Sequence, residues 1–382
     1  MKKAFICGFL DFPHGSAPAN YVQYMALALA DAGYKVHLLT NINHRELERS
    51  QFFEIHKEIE CNEISLSSNR IKHWLEFNVL LGNIFVQCLE KHGLNQGDII
   101  ISYSSEYSVN CALMKVANKH KIKCIVCAAE LFGQEDIRYL GKRGKSYKKS
   151  YKVYGDFDII FAISHYIEKY YKEKTKTFYL PIMSDPYEYP YAGKKHTGVT
   201  KVIYMKKWAE PYQRVIQAIG KLDVDQLNNI EFHLCGFRKE EIQQLIPDVY
   251  AGNQKNFVFH GKSDYEQLIA LYDEMHFMLL VRKETQTTKA NFPSKVVEAM
   301  ARGVIPVVTD VGDYVADYLV ENTNSHIMEC SSEESIVKGI CYISNKKSTD
   351  ILKMSQMARE TCIDKLYYKK WSKGLADVLQ GK

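Results

Sequence analysis

The residues Asn291-Phe292-Pro293-Ser294-Lys295-Val296-Val297-Glu298 put a lysine in the first turn of a predicted helix and a glutamate one turn further on. Proline fits a helix's first turn and serine caps a free N–H there, so the helix starts at Pro293 and Ser294. Gly303 ends it in the left-handed conformation that helix termini favour. A helix N-terminus attracts anions through its unpaired N–H groups and its dipole. Lys295 adds positive charge, and Glu298 offers acceptors for a diol. These parts suit a sugar–nucleotide diphosphate, with phosphates at the helix start and ribose at Glu298. Arg302 falls on the same face as Lys295 and Glu298. A plain surface helix with a Lys–Glu pair shows the same pattern, worth only tenths of a kcal/mol.

Other residues able to do chemistry stand at strand ends. Lys206 and Lys207 follow the predicted strand 201–205, Arg214 lies on the predicted helix 212–220 after it, and Arg282 follows the apolar run 277–281. A guanidinium suits the paired oxygens of a pyrophosphate. Thr287, Thr288 and Asn291 offer hydroxyl and amide contacts just before the helix, and Glu284 stands close to them in sequence. Glu130 ends the run 123–129, where a carboxylate is placed to orient an acceptor or a sugar. His14, Gly15 and Ser16 follow the first strand, with His14 the second catalytic candidate. Gly15 permits close approach because it has no Cβ. Cys124 and Cys127 form a C-x-x-C inside an apolar run and read as core packing. The nearest Asp-x-Asp, Asp223-Val224-Asp225, falls in a helix-to-strand connection, so no metal site is expected.

The elements that position these residues alternate. A strand at 4–9, a helix at 19–33 and a strand at 35–40 make a βαβ unit. Strands at 98–103, 123–129, 156–162 and 178–182 follow, with helices between them, and helical spacing covers 51–60 and 72–92. Residues 183–200 carry Pro, Gly and Tyr without a period and read as a crossover. The alternation restarts at 201. Val304 to Val308 reads as a strand covered on both faces, although Pro306 cannot donate to its ladder. The chain of 382 residues therefore divides into two doubly wound, Rossmann-like α/β domains facing a cleft. The boundaries are 1–182 for the first domain, 183–200 for a linker and 201–360 for the second. A C-terminal helix, 361–382, packs back on the first domain. Hydrophobic content of 46% and charged content of 25% suit a globular protein. A net charge of +5 is too weak to argue for nucleic acid.

The pattern of Phe292, Pro293-Ser294-Lys295, Val296-Val297-Glu298-Ala299-Met300-Ala301, Gly303 and Pro306-Val307-Val308 resembles the donor-site helix and strand of the GT-B glycosyltransferases, in particular glycosyltransferase family 4. Asp158 to Ser164, Leu180-Pro181 and Val258-Phe259-His260-Gly261 are similar to that family's strand ends, so the resemblance covers nearly the whole chain. It implies metal-independent sugar transfer with retention at the anomeric carbon, from a UDP- or GDP-type donor and with no cofactor. It implies that Glu298 contacts the ribose, that Lys206 and Lys207 meet the diphosphate, and that Arg282 closes the next strand. Ala290 stands where the family has the first of two glutamates. The subset with a Phe-Pro-Ser-Lys donor loop commonly lacks it.

The resemblance implies a glycan or lipid-linked glycan acceptor of cell-surface polysaccharide synthesis, bound by the first domain, and a nucleotide-sugar bound by the second. The basic stretch 142–152 reads as an exposed loop suited to an anionic membrane face. The apolar run at the N-terminus is too short for a secretory signal, which places the chain in the cytoplasm, peripheral on the inner face of the membrane. A nucleotide-sugar epimerase and a catalytically silent scaffold of the same fold are the competing readings.

Overall fold

The computed structural model describes residues 1–12, 16–41, 52–206, 211–261 and 264–382. His14, Gly15 and Lys207 lie outside the described residues. The chain forms two compact units. The first holds Met1–Met183, Ala290–Phe292 and Tyr368–Lys382, and the second holds Ser184–Lys289 and Pro293–Tyr367.

The first unit is a seven-stranded parallel sheet in the order β3-β2-β1-β4-β5-β6-β7. Its strands are β1 Lys3–Asp11, β2 Lys35–Asn41, β3 Ile59–Glu63, β4 Ile99–Ser102, β5 Lys123–Ala128, β6 Ile159–Ala162 and β7 Lys176–Tyr179. The order reverses direction at β1 and β4, and ligands of open α/β sheets bind at the carboxyl ends beside such a reversal. The helices that matter here are α1 Ala17–Asp31, α2 Arg70–Leu75, α3 Leu81–Lys91, α4 Tyr107–His120 and α5 Lys142–Val153. A π turn, Glu76–Leu80, joins α2 to α3.

The second unit is a six-stranded parallel sheet in the order β10-β9-β8-β11-β12-β13, reversing at β8 and β11. Its strands are β8 Thr200–Met205, β9 Ile230–Cys235, β10 Phe257–Phe259, β11 Phe277–Leu280, β12 Ile305–Thr309 and β13 His326–Met328. Three further helices are α6 Gln286–Ala290, α7 Ser294–Ala301 and α8 Lys369–Gln380, the last lying against α1 in the first unit. Every residue of β11 and β12 is buried, as strands covered on both faces must be. Pro306 is tolerated in β12 because Ile305 donates toward β11, to the His276 carbonyl at 2.8 Å. The nitrogen of the next residue therefore points toward β13, whose ladder begins only at Val307.

Several expectations are corrected. Residues 59–63 form an edge strand rather than the end of a helix; its mixed, half-exposed composition gave no apolar run. The basic stretch is helix α5 rather than a loop. Gly144, Ser150, Tyr151 and Tyr154 bury one side of it, and a Cβ at Gly144 would collide with the Ile137 carbonyl oxygen. Asp223 caps a helix, Val224–Asn228, by accepting from the Gln226 N–H at 2.8 Å. The core-packing expectation for Cys124 and Cys127, by contrast, agrees with the structure: three apart on β5, they point to opposite faces of the sheet and are both buried.

Residues 184–200 pack on the second unit. The carbonyls of Tyr189 and Pro190 accept from Arg302, and burial brings the Lys194 ammonium down to about 7.

Candidate functional site

In the second unit the candidate residues gather where the sheet order reverses. Arg282 stands two residues past the end of β11. Its backbone N–H donates to Thr309 Oγ1 at 2.9 Å, and that hydroxyl donates back to the Arg282 carbonyl at 3.0 Å. The guanidinium donates to the Thr288 carbonyl at 3.2 Å. Thr288 is itself held: its hydroxyl accepts from the Thr285 N–H at 2.9 Å and donates to the Lys283 carbonyl. That hydroxyl is engaged within the loop, and Thr288 shapes the site through its carbonyl.

Helix α7 presents its first turn with no side-chain cap. Ser294 does not take the capping role expected of it, because it already lies inside the helix, with Pro293 at the capping position. A first turn without a side-chain cap is the arrangement that receives anions. Lys295 donates to the Met205 carbonyl at 3.4 Å, which brings its ammonium to the end of β8. Glu298 is buried one turn further on, near the fully buried Tyr272. Burial, then the Glu298 charge, raises the Tyr272 phenol well above its usual range.

Lys206 stands at the same strand end, but its ammonium pairs with Glu241 at 2.8 Å and lies 4.5 Å from the Tyr212 ring centre. This bond holds the Glu241 carboxyl below its ordinary value. Glu284 pairs with Lys289 at 2.5 Å. Arg302, expected on the face of Lys295 and Glu298, is instead buried at the end of α7. It donates to Asp273 at 2.7 and 2.6 Å and to the carbonyls of Tyr189 and Pro190. Its role is structural.

The first unit holds a cavity of about 410 Å³ at its own reversal point. Phe9 and Leu10 of β1, Ser16, Tyr103 to Glu106 after β4, and Glu130 after β5 line it. Arg143 and Tyr147 of α5 close another side. Two expected residues, Ser16 and Glu130, thus share one cavity. Ser16 caps α1, its hydroxyl accepting from the Ala19 N–H at 3.3 Å. Burial, then Glu130, raises the Tyr103 phenol. Tyr103 to Glu106 were not among the expected residues, and Arg143 and Tyr147 were expected only as part of the basic stretch 142–152. The polar run Tyr103-Ser104-Ser105-Glu106 at a strand end was the signal available.

The short segment Ala290–Phe292 belongs to the first unit. Ala290 is fully buried and its carbonyl accepts from Ser164 Oγ at 2.7 Å. Ser164 also caps the following helix, accepting from the Ile167 N–H at 3.3 Å. Phe292 is buried and Asn291 half-buried. Among the described residues no group of three or more His, Cys, Asp or Glu side chains is arranged to hold a metal ion.

Residues 196–361 match the family model described as glycosyl transferases group 1. That span contains Lys206, Arg282, Lys295 and Glu298. Curated protein sequences give no match to the chain. Solved structures match over its full length. Sucrose-phosphate synthase from Thermosynechococcus elongatus is 12% identical, with 100% of this chain and 99% of that one covered and a TM-score of 0.70. WaaG, a glycosyltransferase involved in lipopolysaccharide biosynthesis, is 13% identical over 99% and 100% of the two chains, with a TM-score of 0.66. The pneumococcal O-GlcNAc transferase GtfA, solved with UDP and GlcNAc, is 10% identical over 100% and 99%, with a TM-score of 0.68. At such identities the likeness shows the fold, which is that of the GT-B glycosyltransferases.

Proposed function

We propose that this chain transfers a sugar from a nucleotide diphosphate donor to a glycan acceptor, with retention at the anomeric carbon and without a metal ion. The observation that carries the reading is the array at the second unit's reversal point. A helix start without a side-chain cap, Lys295 at the end of β8, a braced Arg282 and a buried Glu298 lie within the span matched by the glycosyl transferase family model.

The chemistry follows from those groups. As the bond from the anomeric carbon to phosphate oxygen breaks, negative charge grows on the diphosphate. Arg282, Lys295 and the N–H groups of α7 meet that charge in fixed positions, which stabilises the transition state. The acceptor oxygen bonds to the anomeric carbon, and its proton passes to the departing phosphate oxygen. Glu298 holds the ribose. Phe292 and Asn291 continue the donor loop, and Thr288 braces Arg282. Lys206 joins the phosphates on leaving Glu241, and Lys207 stands next to it in sequence. Glu130 orients the acceptor in the first unit's cavity, with Ser16 at its edge; His14, the second catalytic candidate, and Gly15 precede Ser16 in sequence. Ala290 has no side chain able to hold a sugar hydroxyl, so the backbone N–H groups at the start of α7 take that part.

The donor is of UDP or GDP type, and GtfA's complex with UDP favours uridine. The acceptor is lipid-linked and belongs to surface polysaccharide assembly, the field of WaaG. The chain works at the cytoplasmic face of the membrane.

Calorimetric titration with UDP and GDP, followed by NMR of the anomeric proton during turnover, tests this. One nucleotide binding together with an axial product from an axial donor is expected. Failure of both nucleotides to bind would remove the donor site, and an inverted product would remove the mechanism.

A further inference from the structure

The helical segment 70–80 of the first unit buries none of its side chains, although it carries six large apolar ones. Ile71, Trp74 and Val79 are 80%, 60% and 52% exposed, and Leu75 and Leu80 are exposed as well. Ile71, Trp74 and Leu75 follow i, i+3, i+4 spacing and form one apolar face of α2. Phe77 takes the other direction and lines the acceptor cavity with Leu81. The acidic Glu76 is bound down by the Ser67 N–H at 2.6 Å. Folding thus leaves an amphipathic helix with its apolar side outward.

The charge on elements that line the same cavity bears on what covers that side. Arg70 and Lys72 lie within the segment, and α5, which lines the same cavity, carries six basic residues and no acidic one. Lys145, Lys148, Lys149 and Lys152 are all exposed. Tyr107 and Tyr139 are exposed as well, and Lys149 lies 6.0 Å from the Tyr107 ring. Protein interfaces are depleted in lysine. Tryptophan, aliphatic side chains and lysine together suit the interfacial layer of an anionic bilayer. Among the described residues no helix is long and apolar enough to cross a membrane, so the contact is with a surface.

We propose that the segment Arg70–Leu80 seats itself in an anionic lipid bilayer, with Ile71, Trp74, Leu75 and Val79 in the interfacial layer and the lysines of α5 over the headgroups. This extends the membrane placement proposed above to an apolar anchor. It rests on no assumption about the sugar transferred. Two weak signals, one apolar and one basic, make reversible binding firm where either alone is marginal.

Sedimentation of the full chain with phosphatidylcholine vesicles, with and without phosphatidylglycerol, is the test. Binding to the anionic vesicles alone is expected. The variant I71S/W74S should lose about tenfold or more of that binding. Its melting temperature and nucleotide affinity should stay unchanged, since neither side chain is buried. The variant K145Q/K148Q/K149Q should lose the preference for anionic lipid. Lipids brominated near the headgroup should quench wild-type tryptophan fluorescence, and W74F should remove that quenching. Absence of vesicle binding by the wild type would overturn the proposal. So would a wild-type dimer that I71S/W74S converts to monomer, because the face would then belong to a second copy. Loss of vesicle binding leaves nucleotide binding intact, so the two proposals fail separately.

Discussion

Arg282 and Thr309 exchange two hydrogen bonds, N–H to hydroxyl at 2.9 Å and hydroxyl to carbonyl at 3.0 Å, across the ends of β11 and β12. The exchange fixes the backbone from which the guanidinium projects. The ladder between these strands pairs Leu280 with Val308 as its last registered residues, so the Thr309 side chain continues it by one step.

Thr309→Val keeps the shape and removes both bonds. Leaving a buried donor and acceptor without partners costs about 1–3 kcal/mol. A lower melting temperature together with a raised KM for donor is expected, and Thr309→Ser should restore both.

Arg282→Lys keeps the charge but loses the planar fork. Nucleoside diphosphate affinity should fall about tenfold, and nucleoside affinity should not move. Calorimetry on the two ligands separates a phosphate contact from a general loss of structure.

Glu298→Gln should weaken nucleotide binding by about 1–3 kcal/mol if its carboxylate accepts from ribose hydroxyls. The same titration with a 2′,3′-dideoxy nucleotide should show no difference between wild type and variant. A difference that persists would move Glu298 away from the ribose.

Arg302→Ala should cost roughly 3 kcal/mol of stability, since it strands the Asp273 carboxylate and two carbonyls that the guanidinium now satisfies. Urea unfolding measures this. Donor affinity in the folded variant should be near normal, because the Arg302 guanidinium is committed to Asp273 and the carbonyls of Tyr189 and Pro190.

His276 predicts a pH dependence. Its Nδ1 accepts from the Lys201 N–H and its Nε2 donates to the Lys195 carbonyl, both at 2.9 Å, which requires the neutral ring. Burial brings it down to about 4, against the ordinary 6.5. The unfolded chain therefore binds more protons between these values. Stability is present in full above pH 6.5 and is lost as pH falls toward 4, on the order of 3 kcal/mol from this residue. His276→Gln should flatten the slope of melting temperature against pH over that window.

Much of the fold was legible. Central parallel strands are buried on both faces, so β6 and β11 appear as unbroken apolar runs, and β4 and β12 as runs interrupted only by Ser102, Pro306 and Thr309. The helix of Ser294 to Ala301 was visible from Pro293 and from Gly303, whose φ of 65° is the left-handed conformation glycine favours. The edge strand β3 was not legible, because Ile59-Glu60-Cys61-Asn62-Glu63 has one buried residue and no apolar face. Helix α5 was masked by its lysines. Its signal was the spacing of Gly144, Tyr147, Tyr151 and Tyr154, which sets one side of the helix.

The sequence by itself determined two runs of strand–helix alternation, the helix start at Pro293 with its lysine and glutamate, and the strand ends where Arg282, Lys206 and Glu130 stand. Local propensity and periodicity carry that information, because they depend on neighbours in the chain. Only the tertiary structure decided what each side chain holds. It gave Arg302 to Asp273, Lys206 to Glu241, the Thr288 carbonyl to Arg282 and the Ala290 carbonyl to Ser164. Such pairings depend on sheet order and on how loops close over strand ends, so residues far apart in the chain meet or miss by a few ångströms that no local pattern records. The same holds for Ile71, Trp74 and Leu75. Their spacing reads as a core face, and only the folded chain shows that face turned to solvent.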